Sequence, residues 1–402
     1  MKRSLKDIKR VCKEESGKSC RRLLFLIPSV ACFIIICLFM SSFTSDETSD
    51  SQQMSKEVRD WKPSFSTNGD FEYIPWKGKK YEETYLTWHS DILPGYEARY
   101  VNLGEAYDGP CRCTVVRKLA KKPTGKAVLY VHGFNDYFFQ KEMGDRYVDS
   151  CYNFYAVDLR RYGRSMLPWQ YPFDVRNFDE YLQDIDSALS IIQRDGNTDI
   201  TLIGHSTGGL TVSYYAAVRG GRSIPHRIIG DSPFLAWNFD ALYRNLLIPV
   251  VGFWGRIVPA TGIRQSHCDA YSESLLKQYH GEWEYDTCWK MIFSPPVKAG
   301  WINAVSSAQK TVMKKGRNIA VPLLVMHSSR RYQACSWDST VMTADVVLDP
   351  FMLQERGEKL RSVNSNVSTC AVDSGIHDLI LSPQPHRDAA YDSIFRFIRL
   401  HP

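Results

Sequence analysis

The chain has 402 residues, of which 44% are hydrophobic and 23% are charged, and this composition is typical of a globular protein. Its net charge of +6 arises at the N-terminus, where nine lysines and arginines in residues 1–22 outnumber three acidic residues. Because the rest of the chain is near neutral, charge gives no support to nucleic-acid binding.

The first element along the chain is an apolar run at residues 23–40, broken only by Pro28 and Ser29. As a helix it would span roughly 27 Å, close to the hydrocarbon thickness of a bilayer. We interpret it as a transmembrane signal anchor that follows a basic cytosolic tail at 1–22. A secretory signal peptide is the alternative, which the length of both segments disfavours. The basic side stays cytosolic, so a single-pass type II membrane protein is predicted, with the rest of the chain on the lumenal or extracellular side.

Residues 41–60 are polar and predict a flexible stalk, and residues 61–402 form the folded domain. Seven cysteines follow the predicted anchor, which fits an oxidising compartment, although an odd number cannot all pair within one chain. The motif Asn366-Val367-Ser368 is a possible glycosylation acceptor in that compartment.

The folded domain alternates predicted strands and helices. Two strands come first without a helix between them, and later strands are short continuous apolar runs, so we predict a mostly parallel sheet with antiparallel leading strands. An aromatic-rich stretch at about 235–318 is too long for a connection and predicts a helical cap insertion. The predicted strands are 98–103, 111–119, 127–131, 154–157, 200–203, 227–229, 321–326 and 368–372, and the predicted helices are 178–194 and 210–218.

A glycine-rich turn, Gly204-His205-Ser206-Thr207-Gly208, joins a predicted strand to a predicted helix. A nucleophilic serine needs such a tight turn to hold its side chain above the sheet, and glycines let the neighbouring backbone approach. The first turn of the helix directs free N–H groups at a developing oxyanion. The sequence therefore predicts Ser206 as the nucleophile and the amide of Thr207 as an oxyanion donor.

Two further motifs directly follow predicted strands. His132-Gly133-Phe134 comes after the strand at 127–131, and the amide of Phe134 is the second candidate oxyanion donor. His377 comes after the strand at 368–372 and can take the proton that makes a serine hydroxyl a nucleophile. We therefore interpret His132 as a structural residue and His377 as the base.

The order of serine, acid and histidine resembles the α/β-hydrolase superfamily, particularly its monoacylglycerol lipase or lysophospholipase-like branch, which is of the serine aminopeptidase type. The resemblance covers roughly residues 88–400. It implies an α/β-hydrolase fold, an ester or lipid substrate, no metal and no organic cofactor. The motifs that carry it, besides the serine turn, are Leu103-Gly104 with Asp108-Gly109, Asp158-Leu159-Arg160-Arg161-Tyr162-Gly163-Arg164-Ser165, Asp231-Ser232-Pro233-Phe234, and His377-Asp378-Leu379-Ile380-Leu381-Ser382.

The acid departs from the family pattern. The resemblance implies an aspartate in a His-Gly-x-x-Asp loop after the strand at 321–326, but the loop here reads His327-Ser328-Ser329-Arg330-Arg331. The later stretch Asp345-Val346-Val347-Leu348 is similar to the family's acid and the apolar residues that follow it, displaced by an insertion. We predict Asp345 as the acid. The alternatives are Asp231, Asp338 and Asp349.

These residues together predict a serine hydrolase that cleaves an acyl ester, such as a monoacylglycerol or lysophospholipid, through an acyl-serine. An aminopeptidase-like hydrolase is an alternative that Glu282, Glu284 and Asp286 in the insertion leave open, because carboxylates there could bind a substrate amine. A non-catalytic binding protein of the same fold is a third possibility. Dehalogenase and epoxide hydrolase chemistry is disfavoured because it needs a carboxylate in place of Ser206.

Overall fold

The computed structural model describes residues 87–122, 124–264 and 268–402. The predicted cytosolic tail at 1–22, transmembrane segment at 23–40 and stalk at 41–60 lie outside these residues. In the described part of the chain, no helix has both the length and the apolar character that crossing a bilayer requires.

The described residues form a nine-stranded sheet and a separate two-stranded sheet. The strands are β1 (His89–Ser90), β2 (Glu97–Ala106), β3 (Gly109–Lys118), β4 (Lys126–Val131), β5 (Asn153–Asp158), β6 (Asp199–His205), β7 (Arg227–Asp231), β8 (Gly262–Ile263), β9 (Val297–Lys298), β10 (Leu323–Ser328) and β11 (Val367–Val372). The large sheet has the order β1-β2-β3-β5-β4-β6-β7-β10-β11, and β8 pairs with β9.

The large sheet is antiparallel at its leading edge and parallel elsewhere. Strands β1, β2 and β3 pair antiparallel, as do β3 and β5. From β5 across to β11 every neighbouring pair is parallel. Strands β4, β5 and β6 are almost entirely buried because helices cover both faces of the sheet. The predicted mostly parallel sheet with antiparallel leading strands is thereby confirmed.

Helices connect the parallel strands. They are α1 (Lys141–Asp149), α2 (Asp179–Arg194), α3 (Thr207–Arg219), α4 (Ile248–Ile257), α5 (Ala270–Leu275), α6 (Ala299–Lys315), α7 (Pro350–Val363) and α8 (His386–Leu400). Helix α2 buries one apolar face, with isoleucine and leucine at helical spacing, against the sheet. Helix α3 is buried along nearly its whole length, and its alanines and glycines allow close packing on β6 and β7.

The insertion between β7 and β10 comprises a π-helical turn at Tyr243–Leu247, helices α4 and α5, and the small sheet. The indole N–H of Trp283 donates to the carbonyl of Leu381, and the amide of Met291 donates to the side chain of Asn135. The insertion therefore contacts the loops that follow β4 and β11. Both loops lie at the carboxyl edge of the sheet, where ligands bind in such folds. Helix α6 packs against both α4 of the insertion and α3, and it leads into β10.

Candidate active site

Ser206 occupies the single residue between β6 and α3. Its backbone has φ of 52° and ψ of −114°, a left-handed conformation that a non-glycine residue adopts only when its surroundings enforce it. Its N–H donates to the carbonyl of Asp231 on the neighbouring strand (2.9 Å), and its carbonyl accepts from Leu210 and Phe234. These bonds hold the strained turn so that the side chain stands at the carboxyl edge of the sheet.

The glycines around Ser206 are required because the neighbouring backbone leaves no room for a Cβ atom. A Cβ atom at Gly204 would lie 2.3 Å from the carbonyl oxygen of Gly208, and one at Gly208 would lie 2.3 Å from that of His132. A Cβ at Gly209 would lie 2.7 Å from the Cα of Pro233. All three neighbours are backbone atoms that cannot rotate away, so the turn tolerates only glycine at these positions.

His377 lies between Ser206 and Asp345. Its Nε2 is 3.0 Å from Oγ of Ser206, and its Nδ1 is 3.0 Å from Oδ2 of Asp345. The histidine and the aspartate are buried, whereas the serine is partly exposed. When Nδ1–H donates to the carboxylate, Nε2 is left to accept the serine proton. The structure thus brings together the three residues that the sequence selects.

Asp345 reaches His377 because the loop after β10 leaves the sheet and returns. The N–H of Asp345 donates to the carbonyl of Arg330 (2.9 Å), and the N–H of Tyr332 donates to the carbonyl of Asp345 (3.0 Å). The other carboxylate oxygen, Oδ1, accepts from the amides of Val347 and Leu348, each at 2.8 Å. Two amides and the imidazole therefore satisfy a carboxylate that is fully removed from water.

The alternative acids make other contacts. Asp338 accepts from the hydroxyl of Tyr332 and the amide of Thr340, and Asp349 caps the N-terminus of α7. Asp231 lies at the end of β7, where it accepts from the amide of Leu379 (3.4 Å). None of these contacts is with the His377 imidazole.

The predicted oxyanion donors border Ser206 on two sides. Thr207 is the first residue of α3, where amides have no acceptor within the helix. The loop carrying Phe134 runs against the serine, since a Cβ at Gly133 would lie 3.2 Å from Cβ of Ser206. Both predicted donors therefore belong to segments that adjoin the serine. His132 donates from Nδ1 to the carbonyl of Gly133 and accepts at Nε2 from Leu159, so both its nitrogens serve the backbone.

The loop after β5 supports the loop at residues 132–138, which carries the predicted oxyanion donor Phe134 and which we call the oxyanion loop. Asp158 accepts from the amide of Phe138 (2.9 Å), and its other oxygen binds the guanidinium of Arg164. The same guanidinium donates to the carbonyl of Phe138 (2.9 Å) and binds Asp91 on the far side. A Cβ at Gly163, which has φ of 41°, would lie 2.6 Å from the Asp158 carboxylate. The Asp158–Ser165 motif thus fixes the end of the loop that begins at His132.

Next to His377, three more polar residues form a buried cluster: His205, Asp231 and Asp378. The rings of His205 and His377 are 4.8 Å apart, and Nε2 of His205 lies 3.7 Å from a carboxylate oxygen of Asp378. Burial raises the pKa of Asp231 from 3.8 to about 7 and that of Asp378 well above its ordinary value. Burial also lowers the pKa of His205 well below 6.5. The cluster therefore holds a neutral histidine and a carboxyl pair that retains a proton.

This cluster is also where a cation would have the most ligands among the described residues. One potential ligand atom from each of the three residues lies within 4.8 Å of the other two. A protonated carboxyl is a poor metal ligand, and a proton bound by the pair provides the charge balance that an ion would supply. The sequence suggests Asp231 only as an alternative acid and indicates no role for Asp378. The signal for Asp378 is its place directly after the base.

The insertion closes over the histidine side of the site. The ring of Tyr271 lies 5.6 Å from that of His377 in an edge-to-face arrangement. A disulfide joins Cys268, just before α5, to Cys335 in the loop between β10 and Asp345. The amides of residues 269 and 270 donate to the carbonyl of Cys335, which fixes the start of α5 to the same loop. The position of Tyr271 and the course of the acid loop are therefore coupled.

A parallel sheet of this order, with a serine on the turn after β6 and a histidine after the last strand, defines an α/β hydrolase. A family model described as "Serine aminopeptidase, S33" matches residues 122–331, which is more than half of the chain. The chain belongs to this family, which confirms the resemblance found in the sequence. The matched region contains Ser206 and ends before Asp345, at the point where the loop insertion begins.

Solved structures of hydrolases share the fold. The protein is similar to a monoacylglycerol lipase from Paleococcus ferrophilus, with 16% identity and a TM-score of 0.54 over 71% of this chain and 98% of that one. A soluble variant of monoglyceride lipase from Saccharomyces cerevisiae, in complex with a substrate analogue, has 14% identity and a TM-score of 0.53 over 75% and 97%. A thermostable carboxyl esterase from Bacillus coagulans has 13% identity and a TM-score of 0.54 over 76% and 98%. No curated protein matches the sequence.

Proposed function

We propose that the protein is a serine hydrolase that cleaves an acyl ester through an acyl-serine intermediate. The observation that carries this proposal is the hydrogen-bonded series Ser206–His377–Asp345, in which both contacts measure 3.0 Å. A serine hydroxyl becomes a nucleophile only when a base takes its proton, and an oriented imidazole supplies that base.

The reaction proceeds in two transfers. Oγ of Ser206 bonds to the ester carbonyl carbon while its proton moves to Nε2 of His377, and the amides of Phe134 and Thr207 bind the oxyanion. The C–O bond to the alcohol then breaks, and the imidazolium returns its proton to the leaving oxygen. A water molecule attacks the acyl-serine in the same way, its proton passes through His377, and the free acid leaves. Asp345 orients the imidazole and stabilises its charged form.

Apolar surroundings support a lipid ester as the substrate class. Phe134 packs on Trp301 (4.8 Å between ring centroids), which packs on Trp237 (6.0 Å), which stacks on Phe239 (6.1 Å). This row of rings leads from the oxyanion loop to a solvent-exposed apolar region of the insertion. That region contains Phe239, Leu242, Tyr243, Leu246, Phe253, Ile257 and Val258. Several exposed apolar side chains in one segment are typical of a ligand-binding or membrane-contacting region, and they support a monoacylglycerol or lysophospholipid as the substrate.

The aminopeptidase-like alternative has less support. It would need a carboxylate that faces the site and binds a substrate amine, yet the three candidates in the insertion have other partners. Glu282 pairs with Arg387 (3.0 Å), Glu284 pairs with Lys277 (3.3 Å), and Asp286 accepts from the amide of residue 288. The alternative of a non-catalytic binding protein also loses its main argument, because an acid contacts His377.

We also propose that residues 23–40 anchor the chain in a membrane, with the hydrolase domain on the lumenal or extracellular side. The disulfide between Cys268 and Cys335 supports this location, because such bonds persist in oxidising compartments and are rare in the cytosol. The test is the thiol state of the full-length chain, blocked with an alkylating reagent as the cells are lysed. Alkylation of both cysteines without prior reduction would contradict the assignment.

A fluorophosphonate probe tests the catalytic proposal. The full-length chain is expected to label covalently, and Ser206→Ala is expected to lose both labelling and ester hydrolysis. Ser213→Ala is the matched control, because this serine is buried in α3 and donates only to the carbonyl of Gly209. An unlabelled wild-type chain, or equal labelling of Ser206→Ala, would refute the proposal. Faster cleavage of amino-acid anilides than of long-chain monoacylglycerols would favour the aminopeptidase alternative.

A further inference from the structure

One segment of the insertion, residues 286–291, is bound to the loop that carries the oxyanion donor Phe134. We call this segment the strap. The amide of Asp286 donates to the hydroxyl of Tyr137 (2.8 Å), and Nζ of Lys290 lies 2.9 Å from a carboxylate oxygen of Asp136. Tyr137 and Asp136 thus have partners in the strap. Asn135, which directly follows Phe134, also has one.

Asn135 makes the most directional of these contacts. Its Nδ2 donates to the carbonyl of Met291 (2.7 Å), and its Oδ1 accepts from the amide of the same residue (2.8 Å). The side-chain amide therefore pairs with both main-chain groups of one strap residue, which fixes its position and its orientation. The backbone of Asn135 has φ of 50°, a left-handed conformation that glycine and asparagine adopt at least cost.

The oxyanion loop is consequently held from two sides. Gly133, before Phe134, packs against Ser206 so closely that a Cβ would lie 3.2 Å from the serine Cβ. Asn135, after Phe134, is fixed to the strap. An oxyanion donor acts through its direction as well as its distance, because its dipole must already point at the oxygen when charge develops. Fixing both neighbours restricts the rotation of the peptide that carries the Phe134 N–H.

We propose that Asn135 is a positioning residue for the oxyanion hole, which it holds in register by binding the backbone of Met291 in the insertion. The inference rests on the proposed function, because it assigns the Phe134 amide a role in acyl transfer. Asn135 itself does not touch the reacting atoms. Through it the strap, a part of the insertion, supports the geometry of the hydrolytic centre.

The neighbouring ion pair between Asp136 and Lys290 also fixes the oxyanion loop to the strap, but substituting it is a poorer test of the proposal. Asp136 and Lys290 are both buried, and Asp136 also accepts from the amide of Gly133 at 3.4 Å. Removing one partner would leave an unpaired buried charge, which is strongly destabilising, so loss of activity could reflect loss of folding. Asn135 is uncharged and partly exposed, and its replacement avoids this problem.

The informative substitution is Asn135→Gly in the full-length chain. Glycine adopts the left-handed conformation freely, so the backbone is retained and only the two bonds to Met291 are lost. Removing an oxyanion donor outright typically slows turnover about 100- to 1000-fold, and we expect a misdirected donor to slow acylation about 10-fold. The inhibition constant of a trifluoromethyl ketone, which forms a tetrahedral adduct, should rise by the same factor. That of a non-hydrolysable ether analogue should not change.

Asn364→Gly is the matched control. This asparagine also bridges two segments with its side-chain amide, to the carbonyls of Gly316 and Ile319, but it lies before β11 at the opposite edge of the sheet. We expect it to keep the wild-type inhibition constants. Unchanged trifluoromethyl ketone inhibition in Asn135→Gly, or an equal loss of affinity for the ether analogue, would overturn the inference. If the wild-type chain fails to react with the fluorophosphonate, the proposed function itself is wrong.

Discussion

Asp345 is the residue whose position is hardest to derive from the chain. It follows a loop that begins with Ser329, Arg330 and Arg331, and the backbone pairing of Arg331 with Asp345 closes that loop. Because this single bridge lies three residues after the end of β10, the aspartate is brought back to the sheet edge where a shorter loop would place it directly. The residues between Arg331 and Asp345 extend away from this edge. Among them, Cys335 forms the disulfide with Cys268 of the insertion between β7 and β10.

The acid assignment predicts a large effect on turnover. Asp345→Asn should lower kcat for ester hydrolysis by about 10,000-fold, because a neutral amide neither selects the required imidazole tautomer nor stabilises the imidazolium. Asp349→Asn is the control, since asparagine can still accept the two amide bonds that cap α7. Steady-state hydrolysis of a chromogenic ester measures both. Full turnover in Asp345→Asn would assign the acid to another residue.

At the scale of elements, the eight predicted strands correspond to β2–β7, β10 and β11, because each buried strand is a short apolar run bounded by turn residues. The two-residue strands β1, β8 and β9 are not predicted. The predicted helix at 178–194 is α2, and the predicted helix at 210–218 lies within α3. The prediction gives no bounds for α1, α7 or α8. Helix α1 is short and buries few residues, whereas α8 buries Ala390, Tyr391, Ile394, Phe397 and Ile398 at helical spacing, a signal that the sequence carries and the prediction does not use.

The disulfide joins two elements that are far apart in sequence. It links α5 to the acid loop across a separation of 67 residues, and a cross-link of this span typically contributes about 2–4 kcal/mol to stability. We expect Cys268→Ser/Cys335→Ser to lower the thermal midpoint and to make it insensitive to reductant. Cys151→Ser, which alters a cysteine outside any disulfide, should keep the wild-type response. Differential scanning fluorimetry with and without reductant decides, and a wild-type midpoint that reductant does not lower would contradict the prediction.

At the scale of the whole molecule, the buried carboxyl pair links stability to pH. Asp231 and Asp378 have raised pKa values in the folded chain, so folding favours their protonated forms. Their contribution is complete below about pH 4, the ordinary range of an aspartate, and is lost as pH rises through about 7. Stability gained from this pair therefore declines toward alkaline pH.

Asp378→Asn tests this linkage, because asparagine keeps a neutral group of the same shape at every pH. The free energy of unfolding of the variant relative to wild type should increase by on the order of 1 kcal/mol or more between about pH 4 and pH 8. Asp373→Asn makes the same change at an exposed position and serves as the control. Urea titrations at several pH values measure the difference. A constant difference between Asp378→Asn and wild type would mean that the pair is ionised throughout.

The sequence by itself determines the longer strands, the serine turn and the histidine loop, because each depends on neighbours within a few residues. Gly204, Ser206 and Gly208 define a strand-to-helix turn locally, and His377 follows the last strand directly. The sequence also carries the family motifs, whose arginines and aspartates form the ion pairs around Asp158.

Only the tertiary structure decides which aspartate contacts His377, which two of seven cysteines pair, and how the strap holds Asn135. These contacts join segments far apart in the chain, and local pattern carries no information about which distant partner will satisfy a buried polar group. The proton-holding pair of Asp231 and Asp378 belongs with them. Its pKa values follow from burial, which exists only after β7 and the His377 loop have packed together.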